Sequence, residues 1–224
     1  KMAAPRHSCL FVLSSAAEGV SAPSFLQAYN LVSPNCTVQL ASPNGKNIEY
    51  VKQDESNRRW FNEFRAKASS TPIGLETVDP ARYATVFIPA APGAVHDLLK
   101  NQDLAQIISH FVREKKPLCA VGMGVAGLFG AKKDNGSWWF EDYSLTGPSV
   151  FEEARHPEFA SLPVIPEDFI KEHGGQYSSS EPDAIHVIID RHVITGQNVQ
   201  STIMAVQNLI LMSTQKSGKT APLR

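Results

Sequence analysis

This sequence of 224 residues has few cysteines, little net charge and no long apolar runs. Its three cysteines are irregularly spaced and include no Cys-x-x-Cys pair, and no two histidines have the spacing of zinc ligands. We therefore expect neither a disulfide framework nor a structural metal. No apolar stretch approaches the roughly 20 residues that a helix needs to cross a bilayer.

The charges are almost balanced, because the sequence has 21 basic and 22 acidic residues and a formal net charge of -1. This balance predicts no broad electrostatic surface for nucleic acid or for an anionic membrane. Residues 1–7 also lack the apolar core of a signal peptide, and free cysteines are typical of a reducing compartment. We expect a soluble cytoplasmic protein without direct sequence-specific binding of nucleic acid.

Short continuous apolar runs alternate with helical patterns along the chain. Buried strands are predicted at residues 9–13, 37–41, 84–89 and 117–121, and shorter ones at 48–51, 143–146, 185–189 and 192–195. Helices are predicted at residues 54–68, 104–114 and 201–212, and after Ser21, which can serve as an N-cap. This alternation is typical of βαβ units around a parallel sheet covered on both faces. Without repeats or long linkers, we predict one α/β domain over residues 1–215 and a polar tail over 216–224.

In a parallel sheet, reactive groups collect at the carboxyl ends of the strands. Two strand ends are notable here, within residues 87–98 and 116–126. In the second, a strand turns sharply into a helix at Gly122 and Met123, a geometry typical of a nucleophile elbow. The glycine-rich run after Val121 matches a dinucleotide-binding loop only loosely. Because no acidic residue follows at the required place, no cofactor is expected.

Both segments, together with residues 145–147, 152–153 and 190–198, resemble the ThiJ/PfpI superfamily of class I glutamine amidotransferase-like proteins. The resemblance is greatest to its heat-shock glyoxalase/chaperone branch and covers nearly the whole chain. It implies a flavodoxin-like three-layer sandwich that associates into a homo-oligomer. In that branch the elbow reads Val-Cys-His-Gly, and the third strand ends in a Pro-Gly-Gly-His-Gly turn.

The elbow of this chain departs from the family pattern. Gly122 occupies the position of the nucleophilic cysteine, and Met123 that of the following histidine. Glycine offers no nucleophile, and methionine moves no proton at neutral pH. The family also carries a glutamate in the first βα loop that lowers the pKa of the cysteine. Glu18 lies near that place, but the plausible alignments put Gly19 or Ser21 there.

The oxyanion turn departs from the pattern as well. Its two glycines fall on Ala90 and Ala91, its histidine falls on Pro92, and only Gly93 keeps the family residue. Proline has no N–H, so the turn loses one potential backbone donor for an oxyanion. We therefore expect no catalytic residues in this chain.

Two residues are weak candidates for a substitute catalytic group. Cys119 lies three residues before the elbow, where we expect a buried core side chain rather than a nucleophile. Glu18 either faces the pocket or is solvated in its loop, and the sequence favours neither. A residual glyoxalase, deglycase or amidase would have to use one of these residues. A further alternative is that the emptied pocket binds a metabolite without converting it.

Other side chains near these segments have both structural and functional interpretations. Asp97, which follows His96 beside the oxyanion turn, is predicted to cap a short helix. Trp138 and Trp139 belong to an aromatic cluster. Since adjacent residues of a strand point to opposite faces, we expect at least one of them to point outward. A role as an interface anchor is favoured over ordinary packing.

Together with these departures, the resemblance implies a pseudoenzyme that acts as a structural or adaptor subunit. More specifically, it implies membership of FERRY, a multiprotein assembly on early endosomes. That assembly is an effector of an early-endosomal Rab GTPase and carries messenger RNA. The chain would then reach the endosomal membrane only through its protein partners.

Overall fold

The computed structural model describes residues 7–218. Its strands are β1 (His7–Val12), β2 (Val20–Ser21), β3 (Cys36–Ser42), β4 (Tyr50–Val51), β5 (Ile73–Gly74), β6 (Thr85–Ile88), β7 (Leu118–Val121), β8 (Ser144–Leu145), β9 (Gln176–Tyr177), β10 (Val187–Asp190) and β11 (Val193–Gly196). Its α-helices are α1 (Ala22–Val32), α2 (Glu55–Arg65), α3 (Ala94–Asp97), α4 (Gln102–Arg113), α5 (Val150–Glu153), α6 (Pro166–Glu172) and α7 (Thr202–Gly218). The predicted strands and helices are therefore present, most with ends shifted by a few residues.

Within the described residues, seven strands form one sheet in the order β10-β11-β7-β6-β1-β3-β5. Every neighbouring pair is parallel except β10 with β11. Leu10, Phe11 and Val12 are consecutive in β1 and all completely buried. Because alternate residues of a strand point to opposite faces, both faces of the sheet must be covered. The predicted α/β sandwich around a parallel sheet is confirmed.

Capping side chains set the starts of the first two helices. Ser21 caps α1 as predicted, and its hydroxyl accepts a hydrogen bond from the Ser24 amide. Asp54 caps α2 in a capping box with Asn57. Each cap satisfies backbone donors that the first helical turn leaves free.

The last helix is longer than the predicted span of residues 201–212. It continues to Gly218, so the predicted boundary between domain and tail at residue 215 falls within it. Residues 219–224 of the predicted tail, and residues 1–6 of the domain, lie outside the described residues. Among the described residues, no helix is both long enough and apolar enough to cross a membrane.

The two tryptophans are buried to different degrees. Trp138 is buried, and its indole N–H donates a hydrogen bond to the Leu128 carbonyl at 2.9 Å. Trp139 is half-buried, with the Arg113 guanidinium 5.8 Å from its ring centre. The two residues lie at a bridge and a turn rather than in a regular strand, so the alternation of faces does not apply to them. The interpretation of this cluster as an interface anchor stays a prediction.

Candidate functional site

A cleft of about 780 Å³ opens beside the carboxyl ends of β6 and β7. Its floor is formed by the two segments that the sequence singled out, the turn after β6 and the elbow after β7. The floor residues are Ala90, Ala91, Pro92, Gly122 and Met123. The predicted meeting of these segments at one edge of the sheet is confirmed, and it places the cleft where parallel α/β sheets bind ligands.

The elbow keeps its backbone geometry although it lacks a reactive side chain. Strand β7 ends at Val121, and Gly122 then turns the chain into a 3-10 helix over Gly122–Leu128. The φ angle of Gly122 is +54°, in the left-handed region that favours glycine. A Cβ atom at this position would lie 3.0 Å from the Cβ atom of Ala90. The next residue, Met123, is buried and contributes a thioether where an imidazole would be needed for proton transfer.

A second glycine fixes how closely the elbow packs on the neighbouring strand end. A Cβ atom on Gly124 would lie only 2.2 Å from the carbonyl oxygen of Pro89. Backbone oxygen cannot move aside as a flexible side chain can. The helix after the elbow can therefore approach the turn after β6 only with glycine at this position.

Two backbone donors of the turn after β6 are engaged inside the protein. The Ala90 amide donates to the Ser24 hydroxyl at 3.1 Å, and the Gly93 amide donates to the Gly19 carbonyl at 3.0 Å. Pro92 has no amide hydrogen. These bonds connect the turn to α1 and the first βα loop. They leave fewer N–H groups for an oxyanion than a glycine-rich turn would offer.

The prediction that Asp97 caps a helix is wrong. Asp97 is the last residue of α3, and its carboxylate accepts three hydrogen bonds from the first βα loop. The donors are the Ser14 hydroxyl at 2.7 Å, the Ser15 amide at 2.7 Å and the Ser15 hydroxyl at 3.1 Å. The carboxylate thus fixes the loop that borders the cleft, a tertiary contact that chain position alone does not indicate.

Glu18 combines the two roles that the sequence left open. It lines the cleft, yet nearly half of its side chain (47%) remains exposed to solvent. Its carboxylate lies 3.6 Å from Nε2 of His96. Gly19 and Ser21, the other candidates for the family glutamate position, serve structural roles. Gly19 accepts the bond from Gly93, and Ser21 caps α1.

Glu152 is the most extensively bonded acidic residue of the cleft. It is 7% exposed, and its Oε1 atom accepts hydrogen bonds from the Asp183 amide and from Nδ2 of Asn198, both at 2.8 Å. Its other oxygen faces the Ser149 amide in a capping box at the start of α5. Asn198 in turn donates to the Ala184 carbonyl at 2.8 Å. The network joins α5 to the segments on either side of the β10–β11 hairpin.

Glu152 and Asn198 belong to segments that carry the family resemblance, but the sequence alone indicates no individual role for either residue. The capping box could have been recognised, because Ser149 and Glu152 have the Ser-x-x-Glu spacing. The bond between Glu152 and Asn198 could not, since 46 positions separate the two residues.

The three cysteines lie away from the elbow turn. Cys9 and Cys119 are buried in β1 and β7, on either side of β6, at 1% and 0% exposure, and Cys36 is half-buried. Burial raises the pKa of the Cys9 thiol to about 12 and raises that of Cys119 well above its usual range. Because the thiolate is the nucleophilic form, neither thiol is poised to react at neutral pH.

Comparison with known proteins identifies the family. No family model matches the chain. The human protein called glutamine amidotransferase-like class 1 domain-containing protein 1 is 52% identical over 207 residues, which cover 92% of this chain and 94% of the human one. Its Xenopus laevis counterpart is 53% identical over 205 residues, covering 92% of this chain and 90% of the relative. This chain belongs to the glutamine amidotransferase-like class 1 domain-containing protein 1 family.

Solved structures show that this chain has the fold of ThiJ/PfpI proteins. The rapid encystment protein of Francisella tularensis superposes with a TM-score of 0.81 at 23% identity, covering 92% of this chain and 99% of that one. Glyoxalase III from Candida albicans superposes with a TM-score of 0.82 at 18% identity, covering 92% and 97%. The flavodoxin-like architecture implied by the resemblance is confirmed.

Proposed function

We propose that this protein is a catalytically degenerate ThiJ/PfpI-like protein that acts as a structural or adaptor subunit of a multiprotein complex. The proposal is supported above all by the elbow, where Gly122 has the left-handed backbone expected of the nucleophile position but carries no side chain. The thioether of Met123 beside it cannot act as a base.

Glyoxalase III, one of the proteins with this fold, is an enzyme. The alternative to a degenerate protein is therefore one that retains catalytic activity. A residual glyoxalase, deglycase or amidase would need Cys119 or Glu18 in place of the missing thiol. Cys119 is completely buried within β7, and its raised pKa disfavours the thiolate. Glu18 is partly exposed, and its carboxylate lies 3.6 Å from Nε2 of His96. The geometry therefore favours loss of catalysis.

The proposed complex is FERRY, the early-endosomal Rab effector that carries messenger RNA, through resemblance to the family. The proposed location is the cytoplasm, with attachment to early endosomes through the partner subunits. The formal net charge of -1 supports contact with proteins rather than direct binding of RNA. We further propose that the chain self-associates within this assembly.

Methylglyoxal consumption tests the loss of catalysis. We expect purified protein to show no turnover above the buffer blank, because no accessible thiolate lies at the elbow. Cys119→Ser should behave identically, and an active glyoxalase of the same fold provides the positive control. Turnover by the wild-type protein that disappears in Cys119→Ser would show that a displaced cysteine does the chemistry, and the degenerate interpretation would then be wrong.

Affinity purification from cell extract tests the adaptor role. We expect the tagged full chain to recover the other subunits of one complex in fixed ratios that persist at high salt, since buried interfaces are screened less than surface charges. The recovered complex should float with early endosomes, and ribonuclease treatment should leave its protein ratios unchanged. Recovery of the tagged chain alone, or loss of all partners after ribonuclease treatment, would contradict the proposed role.

A further inference from the structure

The floor of the cleft offers an apolar surface rather than a polar one. Ala90, Ala91 and Met123 contribute hydrocarbon and a thioether, and Pro92 has no amide hydrogen. The Ala90 amide is bonded to Ser24, and the Ala90 carbonyl accepts from the Ser21 amide at 2.8 Å. A ligand resting on this floor would therefore gain mainly by burying apolar surface.

The walls of the cleft carry charges, and three of the charged residues, Glu152, Arg155 and Asp183, are bonded to other groups of the protein. Arg155 pairs with Asp183 at 2.6 Å. The carboxylate of Glu152 is occupied by the hydrogen bonds from Asn198, Asp183 and Ser149. These groups are engaged in holding the walls and have little capacity left for a ligand.

Glu153, the neighbour of Glu152 on α5, is different. It lines the cleft and is half-buried. Among the residues that the structure describes, its carboxylate forms no ion pair and accepts no hydrogen bond. Burial raises the pKa of this carboxyl and the neighbouring Glu152 carboxylate raises it further, while the nearby His156 and Lys52 offset the rise only in part. A carboxylate withdrawn from water without a partner is unfavourable.

The remaining charges give the cleft a negative balance. Besides Glu153, the exposed carboxylate of Glu158 lines it, together with that of Glu18, which lies 3.6 Å from Nε2 of His96; the exposed ammonium of Lys52 and the imidazole of His156 stand against them. A ligand that supplies a positive charge would complement this balance. Its apolar part would have the floor to pack on.

We propose that the cleft binds a small organic cation, an amine carried on an apolar body. The apolar body packs on Ala90, Pro92 and Met123, and the ammonium group pairs with the carboxylate of Glu153. The volume of about 780 Å³ lies within the range of roughly 300–1,000 Å³ typical of small-molecule sites. Binding of such a ligand is independent of the adaptor role, because it requires no partner protein and no catalytic group.

Three probes with the same hydrocarbon chain separate the contributions of apolar surface and charge. Hexylamine, hexanol and hexanoate are titrated into the full chain at neutral pH, and the backbone amides of Ala91, Gly122 and Met123 are followed by NMR. We expect saturable binding of hexylamine, at least about tenfold tighter than that of hexanol, which corresponds to about 1.4 kcal/mol. Hexanoate should bind more weakly than either. Equal or tighter binding of hexanoate, or no saturable binding of any probe, would overturn the proposal.

Two charge-neutralising variants assign the preference to one carboxylate. Glu153→Gln should lose the roughly tenfold preference for hexylamine over hexanol and keep the affinity for hexanol. Glu172→Gln, a matched change on the exposed side of α6 and outside the cleft, should leave both affinities unchanged. Thermal unfolding confirms that both variants are folded. An undiminished preference in Glu153→Gln would rule out the assigned carboxylate, and neither result would bear on the recovery of partner subunits.

Discussion

Glu152→Ala is expected to lower the free energy of unfolding by about 3 kcal/mol, because it leaves two part-buried donors without their acceptor. The Asp183 amide and one hydrogen of the Asn198 side chain both lose the Oε1 atom that they share. For a protein of this size, such a loss lowers Tm by roughly 6–12 °C. Calorimetry or denaturant unfolding measures it.

Glu152→Gln and Glu153→Ala are the matched controls for this prediction. The glutamine keeps one oxygen for Asn198 and Asp183 but loses the negative charge, so a smaller loss of about 1 kcal/mol is expected. Glu153→Ala changes the next residue of the same helix but removes a carboxylate without hydrogen bonds, and should not lower stability. If Glu152→Ala were no less stable than Glu153→Ala, the network would not have the role assigned to it.

Gly124→Ala is expected to destabilise the protein by about 3 kcal/mol, the upper part of the usual range for overpacking. The added methyl group would stand 2.2 Å from the Pro89 carbonyl oxygen. Either the 3-10 helix after the elbow or the turn after β6 would have to move, and the floor of the cleft would move with it. Unfolding of the purified variant in urea gives the change in free energy.

Gly136→Ala provides the contrast for the glycine prediction. Gly136 has a φ angle of +85°, and a Cβ atom there would meet nothing within 4 Å. Gly136→Ala is therefore expected to lower the free energy of unfolding only by the cost of placing alanine at a positive φ angle, about 1 kcal/mol. If both variants lost the same stability, the steric explanation for Gly124 would fail.

The architecture was predictable because the central strands carry a local signal. The continuous apolar runs of β1, β6 and β7 indicate strands buried on both faces, and all three are found in the middle of the sheet. The short helices α3 and α6 were not predicted. Helix α3 has only four residues, too few to show a periodic pattern. Helix α6 begins with Pro166 and two acidic residues, a start signal that could have been used.

The candidate site was predictable only in part, because some of its contacts join residues that are far apart in the sequence. The elbow at Gly122 and the turn at Ala90 each follow a recognisable strand, so their meeting follows from the topology of the sheet. Asp97 and Glu152 bond to residues far away in the chain, and local preferences such as capping carry no information about those partners. The alternation rule does not apply to the two tryptophans, because they lie outside a regular strand.

The position of β11 in the sheet has a consequence for how the protein is made. This strand lies between β7 and β10 and pairs Val193 with Leu118, so one edge of β7 stays open until β11 has been synthesised. An open strand edge can pair with another chain and lead to aggregation. Pairings between such distant residues also slow folding, to the order of milliseconds to seconds. The nascent chain is therefore vulnerable until its last hairpin is complete, and shielding of β7 during synthesis would protect it.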